Sequence, residues 1–297
     1  MALPINPSPA VLRAGQILKH MARRPTAHYS VSELARTVNM PRATCDSVLQ
    51  ALAEAGLVVR REPELRYELG AFCIALGDAA RAADSVLNAA EREAEKLARN
   101  LSACVVVTAR MGDEARVVAV SDWGPALALR AHTGQSIPLV PPFGAVFVAW
   151  SDAEAEAWLS RAEAVEDWRS EQWREALVAI RRRGCSISVA ADRRPELVTV
   201  LNALAAAPES EEYRRRRDEV IGTMQHSEYL AGDIVDTRAR LTHISAPVFD
   251  ATGHVAASLM LMGPQYDLSG TELDALSRHV VEAAALATAA VGGTANV

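Results

Sequence analysis

The chain has 297 residues, half of them apolar, and a formal net charge of −6 at pH 7. This length favours two domains, and the apolar content suffices for a buried core in each. Charged residues interrupt every long apolar stretch, so no segment reaches the roughly 20 residues that a membrane-spanning helix requires. The proline-rich start also lacks the apolar core of a signal peptide. We therefore expect a loose N-terminal arm, a cytoplasmic location and no membrane partner.

The cysteines stand far apart and form no CxxC pair; they are Cys45, Cys73, Cys104 and Cys185. Two of them, Cys45 and Cys104, fall at apolar positions of their predicted elements. Reduced thiols in a cytosolic core are therefore expected. No His or Cys spacing fits a zinc site, so no metal and no cofactor are predicted.

The first element is a helix over Ala10–Arg23, with apolar residues at helical spacing. It precedes the most informative stretch, Ser30–Gly70, whose pattern is a helix, a tight turn, a second helix and a two-stranded wing. Ser30 and Glu33 form a capping box at the start of the first of these helices. The second runs to about Ala55. This is the pattern of a winged helix-turn-helix, which places its second helix in the major groove of DNA.

Helical spacing separates a core stripe of the second helix from an outward face. The stripe comprises Cys45, Val48, Leu49 and Leu52. We predict that the opposite face and the wing contact DNA through Arg42, Ala43, Thr44, Asp46, Ser47, Gln50, Arg60, Arg61 and Arg66. Gln50 and Ser47 are expected at base edges, and Arg42 and Thr44 at phosphates.

Charge supports this interpretation only modestly. Residues 1–70 hold nine Lys or Arg and six Asp or Glu, whereas the remainder holds 22 and 31. A basic N-terminal domain joined to an acidic remainder is consistent with DNA binding, because contacts with phosphates supply most of the non-specific affinity for DNA. Asp46 opposes it, since phosphates repel its carboxylate unless it accepts from cytosine or pairs with Arg42. The alternative is a winged helix that binds protein.

A helical region over 71–101, broken near Gly77, is predicted to link this domain to a larger one. Beyond it, β-branched runs predict a hairpin around Met111–Glu114, and a third strand is possible over 126–132. A second hairpin is predicted around 251–253, and a closing helix over Leu273–Val291. Strand pairs interrupted by helices predict an α+β domain with a mainly antiparallel sheet. The elements predicted between the hairpins are helices over 144–150, 152–161 and 170–183 and a strand from Cys185.

The segment Pro208–Met224 contains four consecutive arginines, Arg214–Arg217. They resemble a nucleic-acid-binding patch, but Glu211 and Glu212 lie four residues before Arg215 and Arg216. An exposed helix with i,i+4 ion pairs is the simpler interpretation.

An enzyme is the main rival class. His226, His243 and His254 lack the spacing of a zinc site. The chain has no HExxH, no G-x-S-x-G turn and no phosphate-binding glycine loop. We therefore expect no catalytic activity.

Several segments together resemble the IclR family of bacterial transcriptional regulators. They are SVSELARTVNMPRATCDSVLQALAEAGLV, RYELG, GQSIPLVPPFGAVFVAW, IRRRGC and SAPVFDATGHVAASLMLMGP. The resemblance implies a winged helix-turn-helix domain over 1–70, a linker helix region over 71–101 and a GAF-like effector-binding and oligomerisation domain over 102–297. It implies three partners: double-stranded operator DNA, a small-molecule effector such as an organic acid or aromatic compound, and further copies in a homodimer or homotetramer.

The chain departs from the family pattern in the second helix of the helix-turn-helix, which we call the reading helix, and in the segment before SAPVFD. The family usually carries a basic residue where this chain has Ser47, and seldom an acid where it has Asp46. An insertion over 192–240 precedes SAPVFD, where Arg240–His243 also replaces the usual acidic and glycine residues. A ligand-sensing or protein-binding regulator with a degenerate DNA reader is therefore the alternative function.

The resemblance also implies an effector pocket beside the sheet. Such pockets are mostly apolar with a few polar anchors. The candidate residues are Trp123, Leu129, Arg130, His132, Gly134, Cys185, Ser188, Ser258 and Met260. Arg130 would anchor a carboxylate. The competing interpretation is that these side chains only alternate across a sheet or stack in a loop.

Overall fold

The computed structural model describes residues 7–22, 26–124, 131, 133–161, 170–189, 212, 215, 238–264 and 266–295. The chain divides into two compact units, Met1–Ala83 and Asp84–Val297. Four predicted features lie mostly outside the described residues: the start of the N-terminal arm, the helix over 208–224, the strand over 126–132 and the insertion over 192–240. Within those ranges, no helix is both long and apolar enough to cross a lipid bilayer.

The first unit is a winged helix-turn-helix. Its elements are α1 (Pro9–Ala22), α2 (Val31–Thr37), α3 (Arg42–Glu54), β1 (Val58–Arg61), β2 (Arg66–Leu69) and α4 (Phe72–Ala83). The predicted capping box is confirmed: the Ser30 amide donates to Glu33 Oε2 at 2.6 Å, and Ser30 Oγ accepts from the Glu33 amide at 3.3 Å. Gly56 ends α3 in the left-handed region, at φ +70°, a conformation that glycine adopts without a Cβ penalty.

The predicted break near Gly77 is wrong. Gly77 lies inside α4, and the chain breaks instead at Asp84, before α5 (Ser85–Leu101). The Asp84 side chain accepts from the Leu87 amide at 3.0 Å and so caps α5, because the first amides of a helix lack partners within it. The linker predicted over 71–101 is thus divided between the two units.

The second unit contains an antiparallel sheet, seven-stranded among the described residues. The strand order is β5-β4-β3-β8-β7-β6, with β9 paired to β7. The strands are β3 (Cys104–Met111), β4 (Glu114–Asp122), β5 (Ser136–Pro138), β6 (Ser186–Val189), β7 (Arg238–Phe249), β8 (Val255–Met262) and β9 (Asp267–Ser269); the helices besides α5 are α6 (Ala145–Val148), α7 (Asp152–Ser160), α8 (Ser170–Arg183) and α9 (Gly270–Ala290). Both predicted hairpins, β3-β4 and β7-β8, are present.

Helices cover the two faces of the sheet differently. On one face, α5 and α9 bury alternate residues of the central strands, including Val105, Ile244 and Leu259. On the other face, α6, α7 and α8 pack at the end of the sheet that carries Phe249 and Val255. This arrangement confirms the predicted α+β class with an antiparallel sheet.

Candidate DNA-reading helix and effector face

Helix α3 presents a polar face opposite its core stripe. Cys45 and Leu49 are fully buried and Leu52 nearly so, as their spacing predicted, while Val48 is half-buried. On the other side Arg42, Ala43, Ser47 and Gln50 are exposed, and Thr44 and Asp46 are half-buried. The six predicted reading residues therefore share the accessible side of one helix.

Asp46 has a partner on this face that the sequence reasoning did not consider. Gln50 Nε2 donates to Asp46 Oδ2 at 3.3 Å, across one helical turn. Asp46 and Gln50, which the sequence predicts to contact DNA separately, are thus hydrogen-bonded to each other in the free protein.

The wing arginines are paired with carboxylates of the same unit. Arg60 lies 3.4 Å from Glu62, and Arg61 Nε donates to Glu68 at 2.7 Å. The second of these pairs lowers the pKa of the Glu68 carboxyl. Any contact of these arginines with phosphate must therefore compete with an existing ion pair.

Arg66 acts differently, because it ties the wing to the start of α2. Its Nη2 donates to the His28 carbonyl at 2.7 Å and to Glu33 Oε2 at 3.0 Å. Glu33 is the capping-box acid, and the hydrogen bond from the Ser30 amide, aided by Arg66, lowers its pKa. A structural role for Arg66 is therefore established beside the predicted DNA contact.

Replacing Arg66 with alanine is expected to destabilise the first unit by about 1 kcal/mol, since the lost hydrogen bonds are charged but half-exposed. Amide hydrogen exchange of residues 26–70 measures the change. The control is R60A, whose surface pair with Glu62 contributes little. Equal exchange in the two variants would contradict the structural role of Arg66.

The second sheet face also carries a row of buried hydroxyl groups. Side chains alternate along a strand, and Val106 of β3 and Met260 of β8 identify this face by packing together. Register pairs Ser245 with Met260 and Ser186 with Ser245. The buried hydroxyl residues of this face are Thr108, Ser186, Ser188, Ser245 and Ser258.

One of these hydroxyls lacks a protein partner. Thr108 Oγ1 and Ser258 Oγ are 2.8 Å apart and satisfy each other, and Ser186 Oγ reaches the Ser245 carbonyl at 3.5 Å. The Ser245 hydroxyl is buried without a hydrogen-bond partner in the structure. A buried polar group without a partner is costly, so this hydroxyl is suited to bind a ligand or an ordered water molecule.

The predicted effector residues do not all meet on this face. Ser188, Ser258 and Met260 lie on it, whereas Cys185 packs in the core on the opposite face. Gly134 is exposed in a turn at φ +91°. Leu129, Arg130 and His132 lie outside the described residues.

Trp123 is held against α5 rather than over the hydroxyl row. Its indole Nε1 donates to Glu95 Oε1 at 3.1 Å, and the Arg99 guanidinium carbon lies 4.5 Å from the ring centre. Arg99 also bonds to Glu95, which lowers the pKa of that carboxyl. The indole therefore completes a surface cluster of its own.

Burial raises the pKa of the Cys185 thiol to about 11. Because the folded state retains this proton to higher pH than the unfolded state does, the associated stability is present below the unfolded pKa. We expect it to be lost as pH rises from about 9 towards about 11. Urea unfolding followed by tryptophan fluorescence at several pH values measures this slope. C185A should flatten the slope, and an unchanged slope would contradict this origin.

Strand alternation could have identified Thr108, Ser186 and Ser245, which the sequence reasoning missed. Thr108 pairs with Ser258, Ser245 pairs with Met260, and Ser186 lies two positions before Ser188 on the same strand. Ser258, Met260 and Ser188 are all predicted effector residues. Among the described residues, no cluster of His, Cys, Asp and Glu is arranged to hold a metal ion.

The N-terminal unit, with an exposed reading helix and a paired wing, has the architecture of a DNA-binding winged helix-turn-helix domain. Residues 10–62 match the model of the IclR helix-turn-helix domain. The chain therefore carries an IclR helix-turn-helix domain, as the sequence predicted.

Crystal structures extend the likeness to almost the whole chain. An IclR transcriptional regulator from Alicyclobacillus acidocaldarius is 21% identical, with a TM-score of 0.68 over 97% of this chain and 100% of that one. A putative IclR regulator from Silicibacter sp. TM1040 is 16% identical, with a TM-score of 0.69 over 96% and 97%. An IclR homologue from Microbacterium hydrocarbonoxydans, complexed with 4-hydroxybenzoate, is 15% identical, with a TM-score of 0.60 over 95% and 98%. The chain thus has the fold of IclR-type regulators. No curated protein sequence is significantly similar to it.

Proposed function

We propose that this protein is a transcriptional regulator that binds operator DNA through α3 and whose binding responds to a small-molecule effector. The observation that carries the proposal is the exposed polar face of α3 within the matched helix-turn-helix domain. Regulation rather than catalysis is its role, and the cytoplasm, where chromosomal DNA is found, is its place of action.

The effector site is the hydroxyl row of the second unit. Ser188, Ser258 and Met260, from the sequence, are joined there by Ser245, whose buried hydroxyl lacks a protein partner. Apolar neighbours such as Val106 and Met260 suit an aromatic body, and the hydroxyls suit its polar substituents. The aromatic acid in the Microbacterium homologue supports this ligand class. Cys185 and Trp123 are not part of the proposed site.

Homo-oligomerisation is proposed through the first unit. Helix α4 has no buried residue, and Phe72 and Ile74 are 50% and 68% exposed. Val11 and Leu12 of α1 are also exposed. A helix with this much exposed apolar surface is typical of an interaction site.

Sedimentation velocity tests the oligomeric state. The unsubstituted protein should sediment as an oligomer, and the F72D/I74D variant should shift towards the monomer, because buried carboxylates oppose association. L286D provides a matched control at an exposed apolar position of α9. An unchanged sedimentation coefficient for F72D/I74D would place the contact elsewhere.

Fluorescence anisotropy tests DNA binding. The protein is titrated with its own upstream intergenic DNA and with scrambled DNA, over a series of salt concentrations. We expect binding at least about a hundredfold tighter to the first duplex, weakening steeply with salt. Aromatic carboxylates, 4-hydroxybenzoate among them, are then added to find a ligand that changes the affinity. Equal weak binding to both duplexes would favour the degenerate reader.

A further inference from the structure

The hydrogen-bonded pair Asp46 and Gln50 gives the reading helix an unusual chemical preference. We infer that this pair acts as an acceptor that selects an exocyclic amino group in the major groove, on cytosine or adenine. The inference rests on the proposed DNA-binding function and specifies which base chemistry α3 recognises.

The position of the pair supports the inference. Asp46 and Gln50 are the fifth and ninth residues of the 13-residue helix α3, so they lie one turn apart on the same side. Gln50 is exposed, and Leu49 beside it is fully buried. Helix-turn-helix proteins contact base edges with the N-terminal residues of this helix, and Asp46 lies in the N-terminal half of α3, with Gln50 one turn further on.

The hydrogen bond determines which groups remain for DNA. Gln50 Nε2 donates to Asp46 Oδ2, which uses one of its two N–H groups and leaves the Gln50 carbonyl oxygen to accept. An ionised carboxylate has only acceptors. The pair therefore presents acceptor oxygens from both side chains and one remaining Gln50 N–H donor, and the Asp46 carboxylate can only accept.

Base edges discriminate between such partners. Cytosine offers its N4 amino group and adenine its N6 amino group in the major groove, whereas guanine offers O6 and N7 and thymine offers O4, all acceptors. An acceptor atom of guanine or thymine that faces the Asp46 carboxylate forms no hydrogen bond with it. The two groups also repel each other, because both carry negative charge. The carboxylate thus selects its base by rejecting guanine and thymine as well as by accepting from cytosine or adenine.

The same charge has a second consequence. A carboxylate on the reading face repels phosphates, so Asp46 lowers the affinity for every DNA sequence that cannot satisfy it. Removing the charge should therefore tighten non-specific binding while weakening base discrimination. A purely structural role for an exposed i,i+4 pair would leave base discrimination unchanged.

Selection from a randomised duplex library tests the inference with the full chain. Three proteins are compared: the unsubstituted protein, D46N, and the control E54Q, which removes an equally negative exposed side chain from the last residue of the same helix. We expect the unsubstituted protein and E54Q to enrich the same sequence, with cytosine or adenine at one position per half-site. D46N should relax that position, with discrimination reduced about tenfold, and should bind scrambled DNA more tightly.

The outcomes separate two failures. If D46N enriches the same sequence as the unsubstituted protein with equal stringency, the inference is overturned while the proposed function stands. If the unsubstituted protein enriches no sequence at all, the proposed function and the inference both fail. Q50A provides a second test, because it should weaken preference at the same or the adjoining base pair. Unchanged preference in Q50A would remove Gln50 from the proposed reading pair.

Discussion

Replacing Leu49 with alanine is expected to destabilise the first unit by about 3 kcal/mol. The side chain is fully buried among Ile17, Leu34 and Cys45 in the core of the helix-turn-helix. Its truncation removes apolar contacts and leaves a cavity, and buried Leu→Ala changes cost about 2–5 kcal/mol. Specific DNA binding should weaken with it, since Leu49 holds the core side of α3.

The measurement must distinguish the two units. All five tryptophans lie beyond residue 84, so tryptophan fluorescence reports on the second unit alone. Amide exchange of residues 26–70 should therefore increase in L49A while the fluorescence-detected urea midpoint stays unchanged. The control is A51S, at an exposed position of the same helix. Exchange in L49A equal to that in A51S would contradict the assigned core.

Replacing Gly263 with alanine should produce the largest loss in the second unit, about 4 kcal/mol. A Cβ at this position would lie 2.0 Å from the Leu241 carbonyl oxygen. The Gly263 amide also donates to the Thr242 carbonyl at 2.8 Å, so the end of β8 cannot move away without breaking the link to β7. The clash is with backbone, which cannot rotate aside.

Tryptophan fluorescence during urea unfolding measures this loss directly. G112A is the matched control, because a Cβ there meets nothing within 4 Å and only the positive φ of +68° opposes it. That conformation costs about 1 kcal/mol for alanine. A G263A midpoint at or above that of G112A would show that the strand end accommodates the methyl group.

Local signals predicted the first unit well. The capping box of Ser30 and Glu33 and the helix end at Gly56 depend on residues only a few positions apart, so their chemistry is visible in sequence. The wing arginines were harder, because the partners of Arg61 and Arg66 lie on a neighbouring strand and at the start of α2. Those contacts depend on hairpin register.

The effector residues were predicted less evenly. Cys185 and Ser188 are three positions apart on a strand, so alternation alone places them on opposite faces, and that signal was available. No local pattern indicates the position of Trp123, since its partners on α5 precede it by more than twenty residues. The helix break falls at Asp84 and not at Gly77, because an aspartate side chain can cap a helix start and Gly77 meets no obstacle inside α4.

The alternation of the central strands has a consequence for how this protein can diversify. Along β3 and β8, residues that build the core with α5 and α9 interleave with residues of the hydroxyl row. In the proposed effector site, substitutions at Thr108, Ser245 or Ser258 would change the groups offered to a ligand, while their neighbours along each strand stay in the core with α5 and α9. A combinatorial library restricted to the hydroxyl row, with substitutions that keep side-chain volume, would therefore search for new effectors of the proposed site and for an engineered biosensor.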